Sequence, residues 1–154
     1  MQNLPARAMG FRTSVMALQH QHEQLPQVDC QLKHYFANGA YVREVTIPAG
    51  TIVIGKIHKH ETINILLKGE ITVVTEEGSQ RLVAPCTFIA PPGNKKAAYT
   101  HSEVIWQNVI ATTSTDPDEI ERDATCESYE DGGFLEHVNA KLAGIELKLE
   151  ALCR

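Results

Sequence analysis

The chain has 154 residues, of which 43% are apolar and 21% charged, with a net charge of −5. These are values of one ordinary globular domain, long enough to bury a core without metal or disulfide staples, and they exclude collagen-like, mucin-like and wholly disordered chains. No run approaches the ~18–20 apolar residues of a membrane-spanning helix, and no charged-then-apolar leader opens the sequence, so a cytoplasmic protein without a membrane contact is expected.

Residues 1–31 are polar, rich in Gln and His, and contain Pro5 and Pro26. Phe11, Val15, Met16 and Leu18 allow one short helix that Pro26 ends or follows. His20 and His22 form a His-x-His pair, but the surrounding Gln and Glu residues give a solvated helix face rather than a metal site.

From Leu32 the pattern changes to short strands separated by turns. Tyr41–Ile47 reads as a strand and Pro48-Ala49-Gly50 as a turn, followed by strands over Thr51–Gly55 and Ile63–Leu67. Lys68-Gly69 forms a bend. Ile71–Thr75 is β-branched, Glu77-Gly78 turns, and Arg81–Val83 pairs back. Cys86–Ala90 precedes the turn Pro91-Pro92-Gly93-Asn94, and Lys95–Tyr99 and Val104–Ala111 complete the set. Strands this short, spaced roughly 8–12 residues apart, predict an antiparallel sandwich or barrel. Lys68, Arg81 and Lys95 are expected as solvated surface charges. Cys30, Cys86, Cys126 and Cys153 are too far apart for a Cys-x-x-Cys pair and are read as reduced thiols, Cys86 in the core.

Asp116 to Asp131 holds eight acids and only Arg122 as a base, a local charge of −7, which leaves +2 for the rest. A binder of nucleic acid polymers would show a denser basic stripe, whereas a few converging Lys and His suffice for a small anion. Asp116-Pro117-Asp118-Glu119 predicts a helix start: an N-cap, a proline in the first turn, and acids near the positive end of the dipole. After Gly132-Gly133, Leu135, Val138, Leu142, Ile145, Leu149 and Leu152 follow a heptad seam. This helix either packs on the barrel or joins subunits. The organisation expected is an N-terminal extension over 1–31, a barrel over 32–115, and an acidic linker with a C-terminal helix over 116–154.

The stretch most open to chemistry is Gly50–Gly69, GTIVIGKIHKHETINILLKG. In a regular strand, Lys56, His58, His60 and Thr62 share one face, and Ile57, Lys59 and Glu61 the other. Two histidines so placed can grip a metal or donate hydrogen bonds to a phosphate or carboxylate. Lys56 beside them favours the anion, since a cation repels a metal.

The order of strand, Pro-Ala-Gly turn, His-x-His, strand ending in Lys-Gly, then Pro-Pro-Gly and a further strand resembles the cupins. These are jelly-roll barrels whose inward-facing strand residues line a pocket. The resemblance covers Leu32 to Thr115. Counted back from Gly69, the cupin glutamate falls on Thr62, the second histidine on His58 and the first on Lys56. In the second cupin motif Pro91-x-Gly93 is present, but the histidine position is Lys96 and the asparagine position Thr100. The run LKHYFANGAYVREVTIPAG and its continuation, with His101, Glu103 and Trp106 and the acidic TDPDEIE after them, is similar to the small single-domain cupins of tailed bacteriophages.

The resemblance implies an all-β double-stranded β-helix with helical extensions at both ends, and a homo-oligomer, at least a dimer. It also implies, by analogy with other phage accessory proteins, a non-catalytic protein. Such a protein would sequester an anionic, nucleotide-like signal in the host cytoplasm and so counter host defence. Lys56, His58, His60, Lys96, Tyr99, His101 and Trp106 are the candidate ligand-binding residues, the basic groups for phosphate and the aromatic rings for a base. Phe88 is a further ring that could stack. No cofactor is expected on this reading. The alternative is a metal-dependent isomerase, dioxygenase or lyase in which His58, His60 and His101 hold one transition metal such as zinc, iron or manganese.

Overall fold

A computed structural model describes residues 6–131. The C-terminal heptad seam and Cys153 lie outside the described residues. The chain begins with helix α1 (Ala6–Glu23) and continues with β1 (Gln31–Ala37), β2 (Ala40–Ile47), β3 (Ile52–Ile54), β4 (Ile57–His58) and β5 (Thr62–Lys68). Then come β6 (Glu70–Thr75), β7 (Gly78–Val83), β8 (Cys86–Ala90), β9 (Ala97–Thr100), β10 (Val104–Ala111), α2 (Pro117–Ala124) and β11 (Thr125–Cys126). No described helix is long and apolar enough to cross a membrane.

The strands form a five-stranded antiparallel sheet, ordered β1-β2-β10-β5-β8, and a four-stranded one, ordered β3-β9-β6-β7. A short ribbon pairs β11 with β4. Strand alternation sends one set of side chains inward from each sheet. Ile47, Leu66, Val104 and Trp106 of the larger sheet meet Ile71 and Val73 of the smaller in one buried cluster. Each such side chain, fully buried, stabilises the fold by about 1.5–3 kcal/mol. This is the antiparallel sandwich expected from the strand spacing, in the jelly-roll form that the cupin resemblance implies.

The turns follow the expected chemistry. Gly69 has φ +91°, and a Cβ there would overlap the Glu103 carbonyl oxygen, so the bend between β5 and β6 admits only glycine. The acidic segment begins as its sequence suggests: Asp116 caps α2 by accepting from the Asp118 backbone N–H, with Pro117 in the first turn. Ile120 and Ala124 turn inward and are buried, while Asp118, Glu119 and Asp123 stay exposed.

Three features depart from the strand reading. The first is β1, a fully exposed edge strand that joins the larger sheet through β2. The second is the interruption of the Gly50–Gly69 stretch. Between β3 and β5 only Ile57 and His58 are in strand conformation, and bends follow at Lys59 and His60. The expected alternation of Lys56, His58, His60 and Thr62 on one face is therefore broken. The cause is pairing with a segment distant in sequence: β4 is held by β11, and the Lys59 N–H donates to the Ala124 carbonyl at 2.8 Å. The third is Lys95, which is 1% exposed rather than solvated. Its ammonium donates to Gln19 Oε1 of α1 at 2.6 Å and to the Gly55 carbonyl at 2.8 Å. Lys68 and Arg81 are on the surface as expected, in ion pairs with Glu103 and Glu70.

Candidate functional site

A cavity of about 640 Å³ opens between the two sheets. Its walls follow from strand register. Across the inner face of the larger sheet, His34 of β1, Arg43 of β2, Asn108 of β10 and Asn64 of β5 stand side by side. This polar row is flanked on one side by Leu32, Val45, Trp106 and Leu66, and on the other by Tyr41 and Ile110. Val53, Ala98 and Val73 of the smaller sheet line the opposite wall. The space is thus mostly apolar, crossed by one line of polar groups.

The row is internally bonded at its deep end. The Asn108 side-chain amide N–H donates to Asn64 Oδ1 at 2.8 Å, and Asn64 Nδ2 donates to the Thr62 carbonyl at 2.9 Å. Asn64 is wholly buried, so this network fixes its orientation. Near the edge strand, His34 Nδ1 and the Tyr41 hydroxyl are 2.8 Å apart with their rings stacked. The Arg43 guanidinium, between these two ends, makes no hydrogen bond or ion pair among the described residues.

His58 and Lys96 also line the cavity. Backbone bonds join their segments: the Gly55 N–H donates to the Lys96 carbonyl at 2.9 Å, and the His58 N–H to the Asn94 carbonyl at 3.2 Å. Burial, then the charges of Lys96 and Arg43, push the His58 pKa down to about 4, so its ring is neutral near pH 7. Burial alone pushes Lys96 down to about 8. The Lys96 ammonium, like the Arg43 guanidinium, has no hydrogen-bonding or ion-pair partner among the described residues.

α2 covers the mouth with Pro117, Asp118, Ile120 and Glu121. Lys56 is at this rim, paired with Glu121 at 3.4 Å and Glu127 at 2.7 Å. Hydrogen bonding to Glu127 is the first cause that raises its pKa. One ammonium at the rim thus stands among three carboxylates, Asp118, Glu121 and Glu127, whereas the side chains of Arg43 and Lys96 have no ion pair among the described residues.

Of the seven residues singled out in the sequence, the fold gathers four around the cavity: Lys56, His58, Lys96 and Trp106. Trp106 meets Phe88 edge-on, with ring centroids 5.6 Å apart; Phe88 packs behind it and is not part of the lining. His60, Tyr99 and His101 lie outside the lining. His60 is exposed beyond the bend. Tyr99 points away from the interior because its strand neighbours Ala98 and Thr100 take the inward positions. His101 contacts Tyr99 edge-on, and its Nε2 is 2.7 Å from the Thr72 hydroxyl.

The histidine trio of the metal-enzyme alternative does not assemble, because His58 faces the cavity while His60 and His101 are exposed elsewhere. Among the described residues no three His, Cys, Asp or Glu side chains stand together as a metal-ligand group. The positions that the cupin resemblance aligns with metal ligands do converge: Lys56, His58 and Lys96 line the cavity, and the Thr62 hydroxyl is 3.2 Å from His58 Nδ1. Two ammonium groups and a hydroxyl beside one imidazole do not fit a metal cation.

Arg43, Asn64, Asn108, His34 and Tyr41 were not singled out in the sequence. Their signal is a polar residue on the apolar side of a strand. Arg43 alternates with Tyr41, Val45 and Ile47; Asn64 stands two residues before Leu66; Asn108 lies between Trp106 and Ile110.

No protein-family model matches the chain, and no curated protein matches its sequence. Solved structures do. KdgF from Halomonas sp. aligns with a TM-score of 0.50 at 17% identity, over 62% of this chain and 89% of that one. An uncharacterized conserved protein with a double-stranded beta-helix domain from Klebsiella pneumoniae aligns at 0.48 and 18%, over 62% and 84%. A cupin domain from Bordetella pertussis aligns at 0.45 and 16%, over 57% and 98%. With two antiparallel sheets around an inward-lined cavity, the chain has the double-stranded β-helix fold of cupin-domain proteins.

Proposed function

We propose that the barrel cavity binds a small anionic, nucleotide-like molecule and holds it without chemical change. One observation carries this reading: Arg43 and Lys96 face a largely apolar cavity without a counter-ion among the described residues. A buried, unpaired cation is costly unless something compensates it, and an anionic occupant does so through charge-assisted hydrogen bonds. The volume lies within the range of about 300–1,000 Å³ usual for small-molecule sites. Trp106 offers an aromatic surface for a base.

The sequence resemblance to phage cupins supports a host-defence signal as the occupant, removed from solution in the host cytoplasm. The homo-oligomer that the resemblance also implies would use the outer face of the larger sheet. There Tyr35, Val42, Val109, Ile63 and Ile89 form one apolar row across all five strands.

Native mass spectrometry and calorimetric titration of the full chain with nucleoside mono-, cyclic and oligophosphates test the binding reading. The expected result is one ligand per cavity, released unaltered, with binding lost in Arg43→Met/Lys96→Met. No binding of any nucleotide, or release of a chemically altered one, would overturn it.

A further inference from the structure

We infer that the cavity's occupant presents a hydrogen-bond donor, a hydroxyl or an N–H, to Nε2 of His58, beside the anionic group that Arg43 and Lys96 face. This rests on the binding reading above and narrows the ligand to anions that also carry a donor.

The inference starts from the single proton of the Thr62 hydroxyl. Thr62 Oγ1 is 3.2 Å from His58 Nδ1 and 3.2 Å from the His60 carbonyl oxygen. A carbonyl only accepts, so the hydroxyl donates to it. The hydroxyl's lone pair is then what remains for the imidazole. Both contacts form together only if Nδ1 carries the proton and donates to Thr62. The ring is neutral near pH 7 and has one proton to place. With that proton on Nδ1, Nε2 is a bare acceptor. His58 lines the cavity, and Nε2 has no partner among the described residues.

A second acceptor belongs to the same site. Asn108 spends an N–H on Asn64 Oδ1, and its own Oδ1 has no partner among the described residues. The cavity thus offers two kinds of group. Arg43 and Lys96 only donate; His58 Nε2 and Asn108 Oδ1 only accept. A bare anion such as sulfate, which carries no proton near pH 7, satisfies the cations and leaves the acceptors unserved. A cationic ligand does the reverse. A phosphate or carboxylate that also bears hydroxyl or N–H groups satisfies both, and a nucleotide, with ribose hydroxyls and base N–H groups, is of this class. Thr62 is then a positioning residue that acts through the tautomer of His58.

Two measurements test this. The first is long-range proton–nitrogen NMR of His58 in the ligand-free full chain near pH 7, with the signal assigned by its loss in His58→Phe. The Nδ1–H tautomer is expected, and Thr62→Val should shift population toward Nε2–H. An Nε2–H tautomer or an imidazolium in the wild type would overturn the inference, as would a tautomer unmoved by Thr62→Val.

The second is titration with adenosine 5′-monophosphate, its 2′,3′-dideoxy analogue, purine riboside 5′-monophosphate and inorganic sulfate. Losing the donor that meets His58 should weaken wild-type binding about tenfold or more. In His58→Phe the same loss should change affinity less than about twofold. Equal wild-type binding of all four probes, or full discrimination retained in His58→Phe, would overturn the inference. If none of the nucleoside mono-, cyclic and oligophosphates binds, the binding reading itself fails and the ligand class falls with it, while the NMR still decides the His58 assignment.

Discussion

On the inner side of the barrel, His58, Lys96 and Trp106 surround an enclosed, largely apolar space. On the outer side of the smaller sheet, Tyr99 and His101 meet edge-on, exposed, with Thr72 as a hydrogen-bonding neighbour. Both regions contain histidine beside an aromatic ring, and a reading by residue type gives them equal promise. The difference is solvation. Burial pushes His58 down to about 4 and Lys96 down to about 8, whereas Tyr99 and His101 stand on an open face.

Lys95 and Lys96 make the same contrast over one peptide bond. Lys95 is fully buried, with two oxygens arranged around its ammonium; Lys96 enters the cavity with none. The first is a strut between the β8–β9 connection and α1, and the second is available to a ligand.

The largest expected effect separates the two faces. Removing both interior cations in Arg43→Met/Lys96→Met should lower affinity for a nucleotide by about 100-fold or more, and each single change by about 10–100-fold. Tyr99→Ala and His101→Ala on the outer face should change it less than about twofold. Calorimetric titration reads both, and equal losses from the two faces would break the comparison.

The second effect separates the adjacent lysines. Lys95→Met leaves Gln19 Oε1 and the Gly55 carbonyl without their donor and should cost about 1–3 kcal/mol in denaturant unfolding. Lys96→Met removes an uncompensated, desolvated charge and should leave stability unchanged or raise it. The folded pKa of Lys96 lies below its usual value of 10.5, so its burial cost is present below about pH 8 and is relieved as pH rises toward 10.5. Any gain from Lys96→Met should therefore fade across that interval.

Acid provides the third test. The folded pKa of His58 is about 4 against a usual 6.5. Between those values the unfolded chain binds a proton that the folded chain refuses. Stability from this group is full above about pH 6.5 and falls as pH drops toward 4. The unfolding midpoint of wild type should fall relative to that of His58→Phe as pH drops through that window. Ligand affinity has its own limit at the other end: an anion favours charged Lys96, so affinity should decline above about pH 8.

The smallest effect is at the surface. Lys68→Ala breaks the exposed pair with Glu103 and should move unfolding by less than about 1 kcal/mol.

Much of the barrel was legible locally. Val104–Ala111 and Cys86–Ala90 were read with their observed boundaries because apolar runs bounded by turn residues have few other solutions. The cap at Asp116 was equally plain. The Gly50–Gly69 stretch was less so. Alternation there assumed a continuous strand, and a bend imposed by the distant Thr125–Cys126 ribbon moved His60 away from His58. Arg43 was passed over because one charged residue in a strand is ordinarily an outward one.

The cupin resemblance implied the jelly-roll class; the sequence by itself determined most of the strands, their turns, an N-terminal helix, the capped acidic helix and an antiparallel sandwich or barrel. Those features depend on periodicity and on residues within a few positions of one another. Tertiary structure alone decided which cations are paired, which histidine is enclosed, and that Arg43, Asn108 and Asn64 form one row. Register across β2, β10 and β5 joins residues far apart in the chain, and burial sets the charge and the hydrogen-bonding demand of each group.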